Sequence, residues 1–124
     1  MSKKVIVVDD SRTARLQIIN AIAIDGYEIL EAADGKEGLE KLRAHPDAAL
    51  VVLDLNMPRM NGLEMLSTAK SLGQGGVPFL LLTTEAQPEL VQQARALGAK
   101  AWIVKPFDPD QLRAAIAKLS GAAR

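Results

Sequence analysis

Apolar residues along the chain follow two alternating patterns. Short, nearly continuous runs are "VIVVD" (5–9), "ALVVLD" (49–54), "VPFLLLT" (77–83) and "KAWIV" (100–104), while "YEILEA" (27–32) alternates apolar with polar. Between these runs the apolar positions recur at helical spacing. The runs read as strands and the intervening segments as helices. Ser11 opens the first helix, with Leu16, Ile18, Ile19, Ile22 and Ala23 on its inner side and Gly26 as its stop. Asp34 caps the second, with Glu37 as capping-box partner and Leu39 and Leu42 as apolar face. Asn61 and Glu64 repeat that pattern before Leu63 and Leu66. "GQGG" (73–76) is the loosest loop, and Pro78 stands near a strand start, where a missing N–H is tolerated. Pro88 suits the first turn of a fourth helix carrying Leu90, Val91, Ala94 and Leu97. Asp108 and Pro109 begin a fifth, with Leu112, Ile116 and Leu119.

Strands alternating with helices imply right-handed crossovers and a parallel sheet. Strands covered on both faces read as continuous apolar runs, as the first, third and fourth do here. The second alternates, as an edge strand does. These features fit a flavodoxin-like, doubly wound (βα)5 domain with five parallel strands in the order 2-1-3-4-5. It is expected to fill residues 1–124, with no linker, repeat or output domain.

Composition narrows the function. The chain has 124 residues, enough for one domain with a real core, and 48% are hydrophobic, which excludes a disordered tail. Its 15 basic and 15 acidic residues balance, which argues against nucleic-acid or membrane binding. Cysteine is absent, so neither a disulfide framework nor a thiolate metal site is available. No apolar run approaches the ~20 residues of a membrane helix. The four-residue run after the basic pair of "MSKKVIVVDD" is too short for a signal peptide. A cytoplasmic protein is expected.

Ligands of open α/β sheets bind beyond the carboxyl ends of the strands, where the strand order reverses. In the order 2-1-3 that point lies between the first and third strands. Asp9 and Asp10 end the first, Asp54 the third and Thr83 the fourth; Lys105 follows the fifth. Three carboxylates in one cleft repel by about 4 kcal/mol per close pair at ~4 Å and an effective dielectric near ~20. Either one retains a proton or a cation joins them. Oxygen-only ligands favour Mg2+ or Ca2+ over zinc. A strand-end carboxylate is also a nucleophile able to form an aspartyl-phosphate, which Lys105 and the Thr83 hydroxyl are placed to hold. Taken singly, Asp10 is a helix cap, Asp54 a loop residue, Thr83 a strand residue and Lys105 a solvated charge. Their joint placement at four strand ends argues for a site.

The ordered set "VDDSR" (8–12), "DLNMPRMNG" (54–62), "LTT" (82–84) and "KPF" (105–107) resembles the receiver domain of two-component response regulators, most closely the single-domain chemotaxis type. The match spans essentially the whole chain. The resemblance implies that Asp54 is the phosphoacceptor. Asp10, Asp54 and the backbone carbonyl of Asn56 would bind Mg2+ (or Mn2+ in its place), with Asp9 acting through water. Thr83 and Lys105 would hold the phosphoryl oxygens, and the Lys105–Pro106 peptide bond would be cis, which only a following proline makes accessible. Met57, Pro58 and Gly62 would shape the loop after Asp54. Thr83 and Trp102 would form the switch, and Asn56 and Glu85 would tune phosphoryl lifetime. A sensor histidine kinase or a histidine phosphotransfer protein would exchange the phosphoryl group. A target protein would dock on the face made by the fourth helix, fifth strand and fifth helix.

Two positions depart from the family pattern. Trp102 stands where tyrosine or phenylalanine is usual, and its indole N–H needs a partner. Thr84 is bulkier than the residue that often follows the switch threonine. Asn56 and Glu85 match the fast-turnover chemotaxis type, and His45, beside Pro46, reads as a solvated loop residue. The expected function is a phosphorylation-dependent binding switch in chemotaxis or motility, not an enzyme in its own right. A phosphorelay intermediate or phosphate sink is the alternative, and a piece of a longer regulator another. A flavin- or nucleotide-binding protein would want a Gly- or hydroxyl-rich phosphate loop where "DDSRTAR" stands. A haloacid-dehalogenase-type phosphatase would want a second acid where Asn56 stands.

Overall fold

A computed structural model describes residues 3–57, 59–73 and 76–121. Pro58, and Gln74 and Gly75 of the loop after the third helix, lie outside the described residues. Five strands, β1 (Lys4–Val8), β2 (Glu28–Ala32), β3 (Leu50–Leu53), β4 (Phe79–Thr83) and β5 (Ala101–Val104), form one sheet in the order β2-β1-β3-β4-β5. Every pairing is parallel. The helices are α1 (Arg12–Ile22), α2 (Gly35–Ala44), α3 (Gly62–Ser71), α4 (Pro88–Ala96) and α5 (Pro109–Ser120). The fold expected from the apolar pattern is the one found, with strand ends shifted by one or two residues.

The continuous runs are continuous because each strand feeds two cores. Ile6, Val8, Val51, Leu53, Phe79 and Leu81 point to one face, where Leu39, Leu42, Met65 and Leu66 close over them. Val5, Val7, Leu50, Val52, Leu80 and Leu82 point to the other, against Ile18, Ile22, Leu112 and Ile116. Each such side chain removed from water contributes about 1.5–3 kcal/mol, which fixes strand register from both faces. β2 pairs on one side only, and its Glu28 and Glu31 are exposed.

Helix boundaries show where local chemistry decided. Asn61 and Glu64 form a full reciprocal capping box. At α2 the Asp34 carboxylate accepts from the Glu37 N–H, but the Glu37 carboxylate accepts from Ala33 rather than from Asp34 itself. On α1 only Ile18 and Ile22 are buried; Leu16 is 44% exposed and Ala23 lies outside the α-helix. The inner face is therefore narrower than the sequence pattern suggests, and after Ile22 the chain tightens into a 3-10 turn (Ala23–Asp25) before the left-handed Gly26. α4 buries Ala94 alone, with Leu90, Val91 and Leu97 half-buried. His45 is half-buried rather than fully solvated, since the Lys4 ammonium reaches its Nδ1 at 3.3 Å.

Candidate functional site

The sheet ladder runs one residue past the strand ends, and this builds the site. The Asp9 N–H donates to the Ala32 carbonyl (3.0 Å), that of Asp54 to Val8 (2.9 Å), and that of Lys105 to Thr83 (2.8 Å). With Val8 opposite Leu53, the acids that follow them become neighbours across the β1–β3 switch point. Ligand oxygens of Asp9, Asp10 and Asp54 all lie within 4.8 Å of one another. Asp10 is exposed on the rim, Asp54 is half-buried and Asp9 is 1% exposed.

A buried carboxylate needs charge-assisted partners. Asp9 has two: the Ser11 N–H donates to one oxygen at 2.9 Å, and the Lys105 ammonium lies 2.7 Å from the other. Lys105 is also 3.6 Å from Asp54. The Lys105–Pro106 peptide bond is cis. Asp54 accepts from the Leu55 N–H at 2.7 Å. Burial, and then the charge of Asp9, push the Asp54 carboxyl above its ordinary value, against the pull of Lys105, the Thr83 hydroxyl and the Leu55 N–H. One ammonium thus faces three acids, all with oxygen donors. That donor set fits a hard divalent cation such as Mg2+.

Thr83 is fully buried at the tip of β4, where its hydroxyl accepts from the Glu85 N–H at 3.3 Å. The Asn56 side-chain amide donates to the Glu85 carboxylate (2.9 Å), and the Trp102 indole N–H donates to the Glu85 carbonyl (2.9 Å). The indole has the partner its N–H demands, and its ring packs half-buried against the core that contains Ala94. Glu85 therefore joins Asn56 to Trp102. Gly62 packs against the acid's own backbone: a Cβ there would sit 2.4 Å from the Asp54 carbonyl oxygen.

Two arginines beside the site escaped the sequence reading. Arg15 donates to the Asp9 carbonyl at 2.6 Å and pairs with Glu31 at 2.9 Å. Arg59, in the loop after Asp54, has φ 63° and lies against Asp34. A basic residue in a polar loop gives no periodic signal.

Fold and site together define an α/β domain with an acidic, lysine-bearing cleft at its switch point. The chain belongs to the response regulator receiver domain family, whose profile matches residues 5–117. It is 41% identical over 112 residues to chemotaxis protein CheY1 of Helicobacter pylori, covering 89% of this chain and 90% of that one. It is 31% identical over 119 residues to sporulation initiation phosphotransferase F of Bacillus subtilis, covering 95% and 94%. The CheX–CheY–BeF3–Mg2+ complex of Borrelia burgdorferi contains a similar fold: TM-score 0.88, 29% identity, 94% of this chain and 88% of that one. Among the described residues no helix is long and apolar enough to cross a membrane.

Proposed function

We infer that the protein is a phosphorylation switch in which Asp54 takes a phosphoryl group from a sensor histidine kinase. The observation that carries this reading is the setting of Asp54, a strand-end carboxylate with its charge raised in energy by burial and by Asp9, and a lysine within 3.6 Å. A carboxylate oxygen of Asp54 forms the new P–O bond as the P–N bond of the phosphohistidine breaks; the imidazole keeps the electron pair and takes up a proton. Asp10, Asp54 and the Asn56 carbonyl would hold Mg2+, with Asp9 one water away. Bound there, the ion neutralises charge on the transferring group. Lys105 moves from Asp9 to a phosphoryl oxygen, and Thr83 turns its hydroxyl to another.

Output follows from what Thr83 leaves behind. Its hydroxyl supports the Glu85 N–H, and the Glu85 carbonyl holds Trp102. Drawing Thr83 toward the phosphoryl group loads that chain and changes the α4-β5-α5 face offered to a target protein. The chemotaxis relative, aligned over 90% of its own length, supports a switch in chemotaxis or motility. The sporulation phosphotransferase supports the second reading, a relay that passes the group to a histidine phosphotransfer protein. The test is intact mass after acetyl phosphate and Mg2+. Wild type gains one phosphoryl mass and Asp54→Asn none; labelling of the variant at the wild-type rate would remove the assignment. A phosphoryl half-life of seconds to minutes supports the switch, and one of hours the relay.

A further inference from the structure

The loop from Leu55 to Asn61 carries the Asn56 carbonyl and connects Asp54 to α3. Among the described residues, several contacts hold it. The Gly62 N–H donates to the Leu55 carbonyl at 2.9 Å and closes its base. The Asn56 amide donates to Glu85 on one flank. On the other flank the loop is fastened to the start of α2. The Gly35 N–H donates to the Met60 carbonyl at 3.0 Å, in a contact so close that a Cβ on Gly35 would lie 2.6 Å from that oxygen. Beside it, Arg59 Nε and Nη2 converge on one oxygen of Asp34 at 2.7 and 2.6 Å. The other Asp34 oxygen caps α2 by accepting from Glu37 at 2.9 Å.

The two residues of this pair each carry a cost alone. Asp34 is only 4% exposed, so its charge has few other partners. Arg59 sits at φ 63°, a left-handed backbone that an L side chain adopts only when something else fixes it. The guanidinium neutralises the buried carboxylate, and the pair in turn holds Arg59 in its left-handed backbone.

We propose that Arg59 and Asp34 form a clamp that positions the Asn56 carbonyl and the Asp54 loop for Mg2+, so that both act as positioning residues for phosphoryl transfer. The proposal rests on the reading of Asp54 as phosphoacceptor, but part of its test does not. Breaking the clamp frees Arg59 to relax toward a right-handed or extended backbone. The loop then samples poses that do not present the Asn56 carbonyl for Mg2+.

Two substitutions separate the clamp from its side roles. Asp34→Asn keeps a good helix N-cap but loses the ion pair. Arg59→Gly keeps the left-handed backbone accessible and also loses the pair. Amide hydrogen exchange of the metal-free protein is the first readout and is independent of any phosphorylation. Both variants should exchange about tenfold faster at residues 55–57 and 59–61, and the β1 and β3 amides should be accelerated by a clearly smaller factor. The second readout is Mg2+ affinity by calorimetry, which should fall about tenfold in each single variant and no further in the double variant. Loop exchange and Mg2+ affinity within twofold of wild type in both variants would overturn the clamp. So would equal acceleration across the sheet, which is a global loss of stability. A wild-type protein that never acquires phosphoryl at Asp54 would instead overturn the function, leaving the exchange result to stand for the clamp.

Discussion

The Lys105 ammonium lies 2.7 Å from the Asp9 carboxylate and 3.6 Å from that of Asp54, so of the two acids it reaches it is spent mainly on the more buried. Removing it leaves a buried charge without its counter-ion, a change that costs about 3 kcal/mol. Lys105→Ala should therefore be destabilised by that order in EDTA. Mg2+ should restore more of its stability than it adds to wild type. Urea unfolding of both proteins with and without Mg2+ measures the difference; equal Mg2+ increments would show that Lys105 and the metal do not share a role.

Asp54 gives the opposite sign. Its carboxyl is raised above the ordinary value of 3.8, first by burial and then by the charge of Asp9, so its ionised form works against folding. Below the unfolded value the group is protonated in both states and costs nothing; above the folded value the penalty is complete. In metal-free buffer at pH 7, Asp54→Asn should melt a few degrees higher than wild type. That advantage should vanish as pH falls below the ordinary carboxylate value. A thermal melt series across pH reads both parts.

Asp34 titrates the other way. Burial raises its carboxyl, but the Glu37 N–H, the Arg59 guanidinium and the Lys36 N–H together outweigh burial and hold it below 3.8. Its contribution to stability is present above the unfolded value and is lost as pH falls through the folded one. Relative to wild type, Asp34→Asn should be least stable at neutral pH and should converge with it in acid, as urea midpoints would record.

Gly62→Ala should be costly although the fold leaves it at an ordinary φ. The new methyl meets the Asp54 carbonyl oxygen at 2.4 Å, so the loop or α3 must shift. Overpacking of this kind costs about 1–3 kcal/mol. Phosphorylation by acetyl phosphate should fall more steeply than stability, because the displaced atom belongs to Asp54, the proposed acceptor.

Trp102 is the only tryptophan in the chain, and its N–H reports on the Glu85 carbonyl. Adding Mg2+ with beryllofluoride should change its fluorescence, and Asp54→Asn should abolish the change. An unaltered spectrum in wild type would separate the indole from the switch. Trp102→Phe deletes one hydrogen bond and should cost about 1 kcal/mol.

The sheet was legible because its two cores impose a pattern on every central strand. Runs such as "ALVVLD" leave no other way to bury alternate side chains on both faces. The placement of Asp9, Asp54, Thr83 and Lys105 on one rim followed from the same runs. Less legible was anything set by side-chain reach. Leu16 sits at helical spacing with Ile19 yet faces water, because α1 leans on the sheet only through Ile18 and Ile22 among its buried residues. Arg15 and Arg59 make long-range bonds that no spacing announces, and Arg59's left-handed backbone has no glycine or asparagine to mark it.

The ladder bonds just beyond β1, β3 and β5 have a consequence for altering this protein. Asp9, Asp54 and Lys105 are tied by main-chain N–H groups to neighbouring strands, so their anchorage does not depend on what their side chains do. Glu85, Thr84 and Asn56 lie off that weave and are not fully buried. Rate constants of the site are therefore open to change, one exposed residue at a time, in a scaffold whose melting point should hardly register the edits.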